Sequence, residues 1–252
     1  MTDGIRITRL YPNELDLPGD RGNIEALQLR ARRADLDVDF RTHAIGDGPI
    51  EPTDLLVLGT GPASVIDRVL TDARAHRDEI AEIIASQTPV LAIGTGAEIL
   101  SQSITTLDGV SRDALGLLPL AAVRNRDRRI GYVIAESPVG ELIGFEDHAS
   151  RWTAQGDLGA FGTIRIGRGI IAFGERWAVG VRTGNVFAMQ LGGPLLPLNP
   201  AMTDLLLSLA AAHATTTYAL PAGRTPADDY VEGVRERFEG YAKGKELHYI
   251  RV

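Results

Sequence analysis

Cysteine is absent from all 252 residues. That single absence excludes disulfides, thiolate metal sites and any cysteine nucleophile. Lysine is almost absent: of 26 basic residues only Lys243 and Lys245 are lysine, a bias that, with abundant alanine, matches GC-rich coding rather than a functional signal. Gly-Lys-Ser/Thr occurs nowhere, which excludes a P-loop. No apolar stretch approaches the roughly 20 residues that span a bilayer. The opening MTDGIRITRLYP has no signal-peptide h-region, so a soluble cytoplasmic protein is expected. A net charge of −7 without a concentrated basic face argues against nucleic-acid binding. Repeats and low-complexity segments are also missing.

The residues that are there, 44% hydrophobic and 23% charged, suffice for one large α/β domain with a real core. IRITRLYP reads as a first strand. DRGNIEALQLRARRADLD follows as a helix, with Asp20 or Asn23 as its cap. LDVDFRTHAI alternates like a strand, and TDLLVLGTG is a buried one. ASVIDRVLTDARAHRDEIAEIIASQ is helical, in two pieces, and Pro89 to Ile93 is a further buried strand. Beyond Gly109 the texture changes to short strands with glycine turns: RIGYVIAE, ELIGFEDH, GTIRIGRG, GIIAFGE and NVFAMQL. AMTDLLLSLAAAHATTTYAL is a strong helix. TPADDYVEGVRERFEGYAKG is an amphipathic one, with Thr225 as cap and Pro226 at its first position. The pattern predicts an α/β sheet with helices on both faces and an antiparallel extension. One main domain over 1–220 and a helical tail over 221–252 are expected.

Two strands end in Gly-Thr-Gly, in LLVLGTGPAS and VLAIGTGAEI. Such turns carry phosphate loops or nucleophiles in α/β enzymes. Both copies lack the third glycine of a dinucleotide fingerprint. The acid expected about 20 residues on is missing as well: Glu79 falls in a helix and Asp113 in a loop. Tight strand-to-helix turns with positive φ are the alternative that the residues favour.

LYPNELDLPGDRGNIEALQLRAR (Leu10 to Arg32), GFEDHASRW (Gly144 to Trp152) and GGPLLPLNP (Gly192 to Pro200) together resemble the CobB/CobQ-type class I glutamine amidotransferases. Within them the resemblance is strongest to GatD, the glutaminase subunit of lipid II isoglutaminyl synthase. It runs in order from about Leu10 to Leu207. It implies a three-layer, flavodoxin-like sheet and a glutaminase that hydrolyses glutamine with an elbow cysteine and a histidine base. It also implies ammonia transfer to a Mur-ligase-like partner of the MurT type, which amidates a peptidoglycan precursor.

On that resemblance the family's AICGGYQ is Ala92 to Glu98 here, so the nucleophile position is Gly94. LHGPLLP is Leu191 to Pro197, so the base position is Gly192. The oxyanion loop GGGQD is Gly59, Thr60, Gly61, Pro62 and Ala63, and Pro62 has no N–H to donate. The resemblance therefore implies a degenerate pocket around Gly59, Thr60, Gly61, Thr95, Arg129 and His148, with no catalytic residue. Thr95 is expected to cap the following helix rather than act as a nucleophile. Arg129 falls near a family arginine linked to glutamine or its channel, or belongs to a solvated basic turn, Arg124 to Arg129. Glu146 and His148 share one strand face and could form a metal or acid/base pair, although the resemblance makes them scaffold at the pocket rim. Asp20, Arg21 and Asn23 either fix the first helix or face a partner. His76 and His213 are expected to be surface or packing residues. The stripe Tyr230, Val234, Phe238, Tyr241 packs on the parent domain or meets another molecule.

The expectation is a pseudo-glutaminase that binds and positions its Mur-ligase-like partner, with no cofactor and no metal. Two alternatives stay open. One is an amidating subunit fed by free ammonia. The other is a small-molecule module in the altered pocket.

Overall fold

The computed structural model describes residues 4–17, 19–192, 194–220, 226–244 and 250–251. The first half alternates strands and helices: β1 (Gly4–Leu10), α1 (Asp20–Arg33), β2 (Asp37–His43), β3 (Leu55–Leu58), α2 (Ile66–Ala75), α3 (Arg77–Ala85), β4 (Val90–Ile93) and α4 (Thr95–Leu100). Strands then dominate: β5 (Ser103–Thr105), β6 (Ser111–Asp113), β7 (Leu120–Ser137), β8 (Gly140–Ala154), β9 (Gly159–Ile166), β10 (Ile171–Phe173), β11 (Arg176–Thr183) and β12 (Val186–Met189). The chain closes with α5 (Leu195–Leu198), α6 (Pro200–His213), α7 (Pro226–Gly244) and β13 (Ile250–Arg251).

The main sheet runs β2-β1-β3-β4-β12-β11-β10-β8-β7-β5-β6. From β2 to β12 every pairing is parallel; from β12 onward most are antiparallel. The parallel strands LLVL and VLAI are apolar at every position because both faces are covered. Leu56, Leu58, Val90 and Ala92 pack with α2, α3 and α4, whereas Leu55, Val57, Leu91 and Ile93 pack with α1, α5 and α6. Alternation along each strand thus divides one apolar run between two cores. Each fully buried leucine contributes about 1.5–3 kcal/mol to that packing.

RIGYVIAE and ELIGFEDH are only parts of β7 and β8, which form one long hairpin closed at Gly140. Arg124 to Arg129 is therefore not a turn. It is strand with a shift in register, where the pairing with β8 stops at Arg124 and resumes at Arg129 while Asp127 and Arg128 pair with β13.

The stripe on α7 is divided: Phe238 packs on the parent domain, whereas Tyr230 is 73% exposed. Val231 is buried, the Phe238 ring meets Tyr132 edge-to-face at 4.9 Å, and Arg235 donates to the Glu141 and Leu198 carbonyls. Thr225, the expected cap of this helix, and the Tyr241 side chain lie outside the described residues. No helix among the described residues is long and apolar enough to cross a membrane.

Candidate functional site

The loops after β3, β4 and β12 leave the carboxyl ends of adjacent parallel strands, the customary ligand edge of an open α/β sheet. They bound a cavity of about 360 Å³ lined by Thr60, Gly61, Thr95, Glu98, Arg124 and His148, among others. Gly94 joins β4 to α4 at φ 52° and ψ −115° and donates its N–H to the Met189 carbonyl at 2.9 Å. Such a sharp strand-to-helix turn at positive φ is the backbone of a nucleophile elbow. The elbow is present and its side chain is not.

The space that side chain needs is filled. A Cβ on Gly94 meets the Thr60 side chain, with Oγ1 at 2.3 Å and Cβ at 2.9 Å. Thr60 is held firmly. Its own N–H donates to Asp20 Oδ2 at 2.5 Å, and its hydroxyl accepts the Thr95 N–H at 3.2 Å. An oxyanion hole at an elbow uses the N–H after the nucleophile together with an N–H from the neighbouring loop. Here the Thr95 N–H and the Thr60 N–H both have internal acceptors, and Pro62 has no N–H to offer. At Gly192 the situation is the reverse. This residue bridges to Phe145 by two backbone hydrogen bonds, and an added Cβ meets only the Phe145 carbonyl, at 3.8 Å. A Cβ has room there.

Several expected roles change. Positive φ among the Gly-Thr-Gly turns occurs at Gly94 alone; Gly59 is glycine because a Cβ would sit 2.4 Å from the Leu15 carbonyl. Thr95 caps nothing. Its hydroxyl donates to the Gly61 carbonyl at 2.6 Å and accepts from Arg124, tying the two glycine turns together. Neither Asp20 nor Asn23 caps α1, whose cap is Gly19. Asn23 accepts the Leu196 N–H at 2.8 Å, and Arg21 is exposed beside Glu25. Arg129 is not among the residues lining the cavity. Its guanidinium lies 4.4 Å over Trp177 and donates to the Arg168 and Gly169 carbonyls, where burial depresses its pKa to about 10. His148 does line the cavity, with Nδ1 3.1 Å from the Ser150 carbonyl and Nε2 3.6 Å from Glu146. Both Glu146 oxygens accept N–H groups from Arg168 and Gly169, which gives it a scaffold task. His213 bridges Thr88 and Asp54.

Two ion pairs at the site were not anticipated. Glu98, 2% exposed, pairs with Arg124 at 2.5 Å and accepts from the Trp152 indole at 3.5 Å. Arg128 pairs with Asp147. The signal for the first was legible, because a carboxylate one turn into a buried helix requires a cation. The identity of that cation was not.

Burial pushes the Asp20 carboxyl up to about 7, against the Thr60 N–H and nearby Arg9, which favour the charged form. The folded state then holds a proton that the unfolded chain releases near pH 4. Stability contributed at this site therefore falls as pH rises from about 4 to about 7, by at most about 4 kcal/mol, and then levels. Asp20→Asn removes this slope in urea unfolding across that range. Parallel profiles for the variant and the wild type contradict it.

Comparison with known proteins gives the family. A sequence model of the CobB/CobQ-like glutamine amidotransferase domain matches residues 6–199. The chain is 28% identical over 208 residues to the lipid II isoglutaminyl synthase (glutamine-hydrolyzing) subunit GatD of Staphylococcus aureus strain N315, covering 82% of this chain and 84% of that one. It is 27% identical over 210 residues to the GatD subunit of Streptococcus pneumoniae strain ATCC BAA-255 / R6, covering 82% and 80%. The crystal structure of a Thermotoga maritima glutamine amidotransferase superposes with a TM-score of 0.52 at 14% identity, covering 96% of this chain and 99% of that one.

Proposed function

The chain belongs to the CobB/CobQ-like glutamine amidotransferase domain family, and from that premise we propose that it is a GatD-like subunit that has lost glutamine hydrolysis. It acts in peptidoglycan precursor amidation by binding and positioning a Mur-ligase-like partner; the names of its relatives, subunits of lipid II isoglutaminyl synthase, support a role within such a complex. The observation that carries this reading is Thr60: its side chain stands where the nucleophile would, and its hydrogen bonds occupy the N–H groups an oxyanion would need. With no thiol at Gly94 and no base at Gly192, the acyl-transfer mechanism has neither of its reacting groups. The scaffold is nonetheless built in full, elbow included, which is the economy expected of a subunit retained for its surface.

The small-molecule alternative gains less support. The two cavity-lining arginines are already paired, Arg124 with Glu98 and Arg128 with Asp147.

The test is reconstitution with the ligase that co-purifies from the native cell. The complex is expected to amidate its acceptor with ammonium and not with glutamine. Glutamine-dependent amidation, or the absence of any co-purifying ligase, overturns the proposal.

A further inference from the structure

A second cluster of chemistry-bearing side chains lies apart from the vestigial pocket and has no task in the amidotransferase reading. His43 ends the edge strand β2, Asp72 lies in α2, and His76 sits at the junction of α2 and α3. One ligand atom from each comes within 4.8 Å of the other two. His43 is only 5% exposed, and Asp72 and His76 side chains 12% each. All three present a buried atom without a hydrogen-bond partner: His43 Nε2, Asp72 Oδ2 and His76 Nδ1. The Tyr11 hydroxyl, fully buried behind the His43 ring, is a fourth.

An orphaned buried polar atom costs about 1–3 kcal/mol, so several in one place need a common explanation. Internal hydrogen bonding supplies it only in part: the Tyr11 hydroxyl lies close enough to Asp72 for the carboxylate to raise its pKa, and neither imidazole gains a partner that way. Asp72 Oδ1 accepts the Gly46 N–H at 2.9 Å, which fixes the carboxylate and leaves Oδ2 towards the imidazoles. His76 Nε2 lies 3.9 Å from that oxygen, and the two imidazole rings meet edge-to-face at 4.8 Å. Glu79 reaches to 3.4 Å from His76 Nδ1 while accepting the Ile50 N–H, and so can supply another oxygen.

We infer that His43, Asp72 and His76 form a divalent zinc site, with a water, Glu79 or Tyr11 in the fourth position. Two imidazoles and a carboxylate are a nitrogen–oxygen donor set suited to a borderline cation. A d¹⁰ ion imposes no geometry of its own, which suits ligands gathered from three segments. Metal–ligand bonds of about 2.0–2.1 Å place tetrahedral donors about 3.4 Å apart, so side-chain rotations of about 1 Å close the site. The Gly46 N–H on Asp72 is the outer hydrogen bond that orients a ligating carboxylate. Bound there, the ion ties the free edge of the sheet to the helical layer.

The probe is Zn²⁺ itself, titrated into the untagged, chelator-treated full chain by calorimetry, with metal counted after dialysis. One ion per chain is expected, with a Kd below about 1 μM and a Tm raised by about 5–10 °C at a hundredfold excess over Kd. Asp72→Asn and His76→Gln each weaken binding at least about tenfold, at unchanged circular dichroism. His148→Asn, which alters the other buried histidine–carboxylate pair, leaves binding intact. No saturable site, or one that survives both Asp72→Asn and His76→Gln, overturns the assignment whatever the outcome of the amidation assay.

Discussion

Purified wild-type protein will release no ammonia from glutamine above the buffer blank, and a Gly94→Cys, Gly192→His double variant will stay inactive. Adding Thr60→Gly to that pair will raise turnover at least about a hundredfold over the double variant. The scale of the deficit sets the expectation: deleting a nucleophile or its base from a working triad costs on the order of 10⁶ in kcat. The backbone to carry a thiol is intact, because Gly94 keeps the positive-φ elbow at the carboxyl end of β4. The obstacle is volume. A Cβ at Gly94 lies 2.3 Å from Thr60 Oγ1, and Thr60 cannot rotate away without giving up the bond to the Thr95 N–H. Replacing the threonine with glycine frees that N–H for an oxyanion and clears the site in one change. An ammonia-release assay coupled to glutamate dehydrogenase reads all three proteins. Wild-type turnover, or equal rates in the double and triple variants, contradicts the account.

Glu98→Ala should be the most destabilising single change at the site, by about 3–5 kcal/mol, or on the order of 10 °C in Tm for a chain of this size. Removing the carboxylate leaves the Arg124 guanidinium, 17% exposed, without its counter-charge, and removes the acceptor of the Trp152 indole. The contrast is Arg21–Glu25 on α1, whose side chains are 80% and 64% exposed. Breaking that pair costs about 0.3–0.5 kcal/mol. Combining Glu98→Ala with Arg124→Met should recover most of the loss, since the penalty lies in the stranded charge rather than in the missing contact. Urea unfolding of the single and double variants decides it. A loss under about 1 kcal/mol for Glu98→Ala means that Arg124 reaches water and that the pair is a surface one.

The two Gly-Thr-Gly turns show where reading residues in order succeeds and where it stops. The continuous apolar runs ending at Gly59 and Gly94 announce strands covered on both faces, and they are. The resemblance across Leu10 to Leu207 locates the elbow. Why each glycine is there was not legible: Gly94 needs its dihedrals, whereas Gly59 needs the closeness of the Leu15 carbonyl. Arg129 was expected at the cavity, but the register shift between Arg124 and Arg129 in β7 sends its guanidinium to Trp177. Arg124 and Arg128 line the cavity instead.

What the sequence determined by itself is the chemistry that is missing. The absence of a thiol anywhere, and of an imidazole at position 192, is a fact about residue identity that no folding can alter. Hydrophobic patterning likewise determines the layered sheet, because burial follows local periodicity. Only the tertiary structure decided what occupies the space beside Gly94. Thr60 fills it from a loop earlier in the chain, Glu98 finds Arg124 across two elements, and His43 meets Asp72 and His76 at the sheet edge. These are contacts between segments distant along the chain. Close packing admits one side chain to each volume, and which one enters is settled by the register and crossing of whole elements rather than by any stretch of residues.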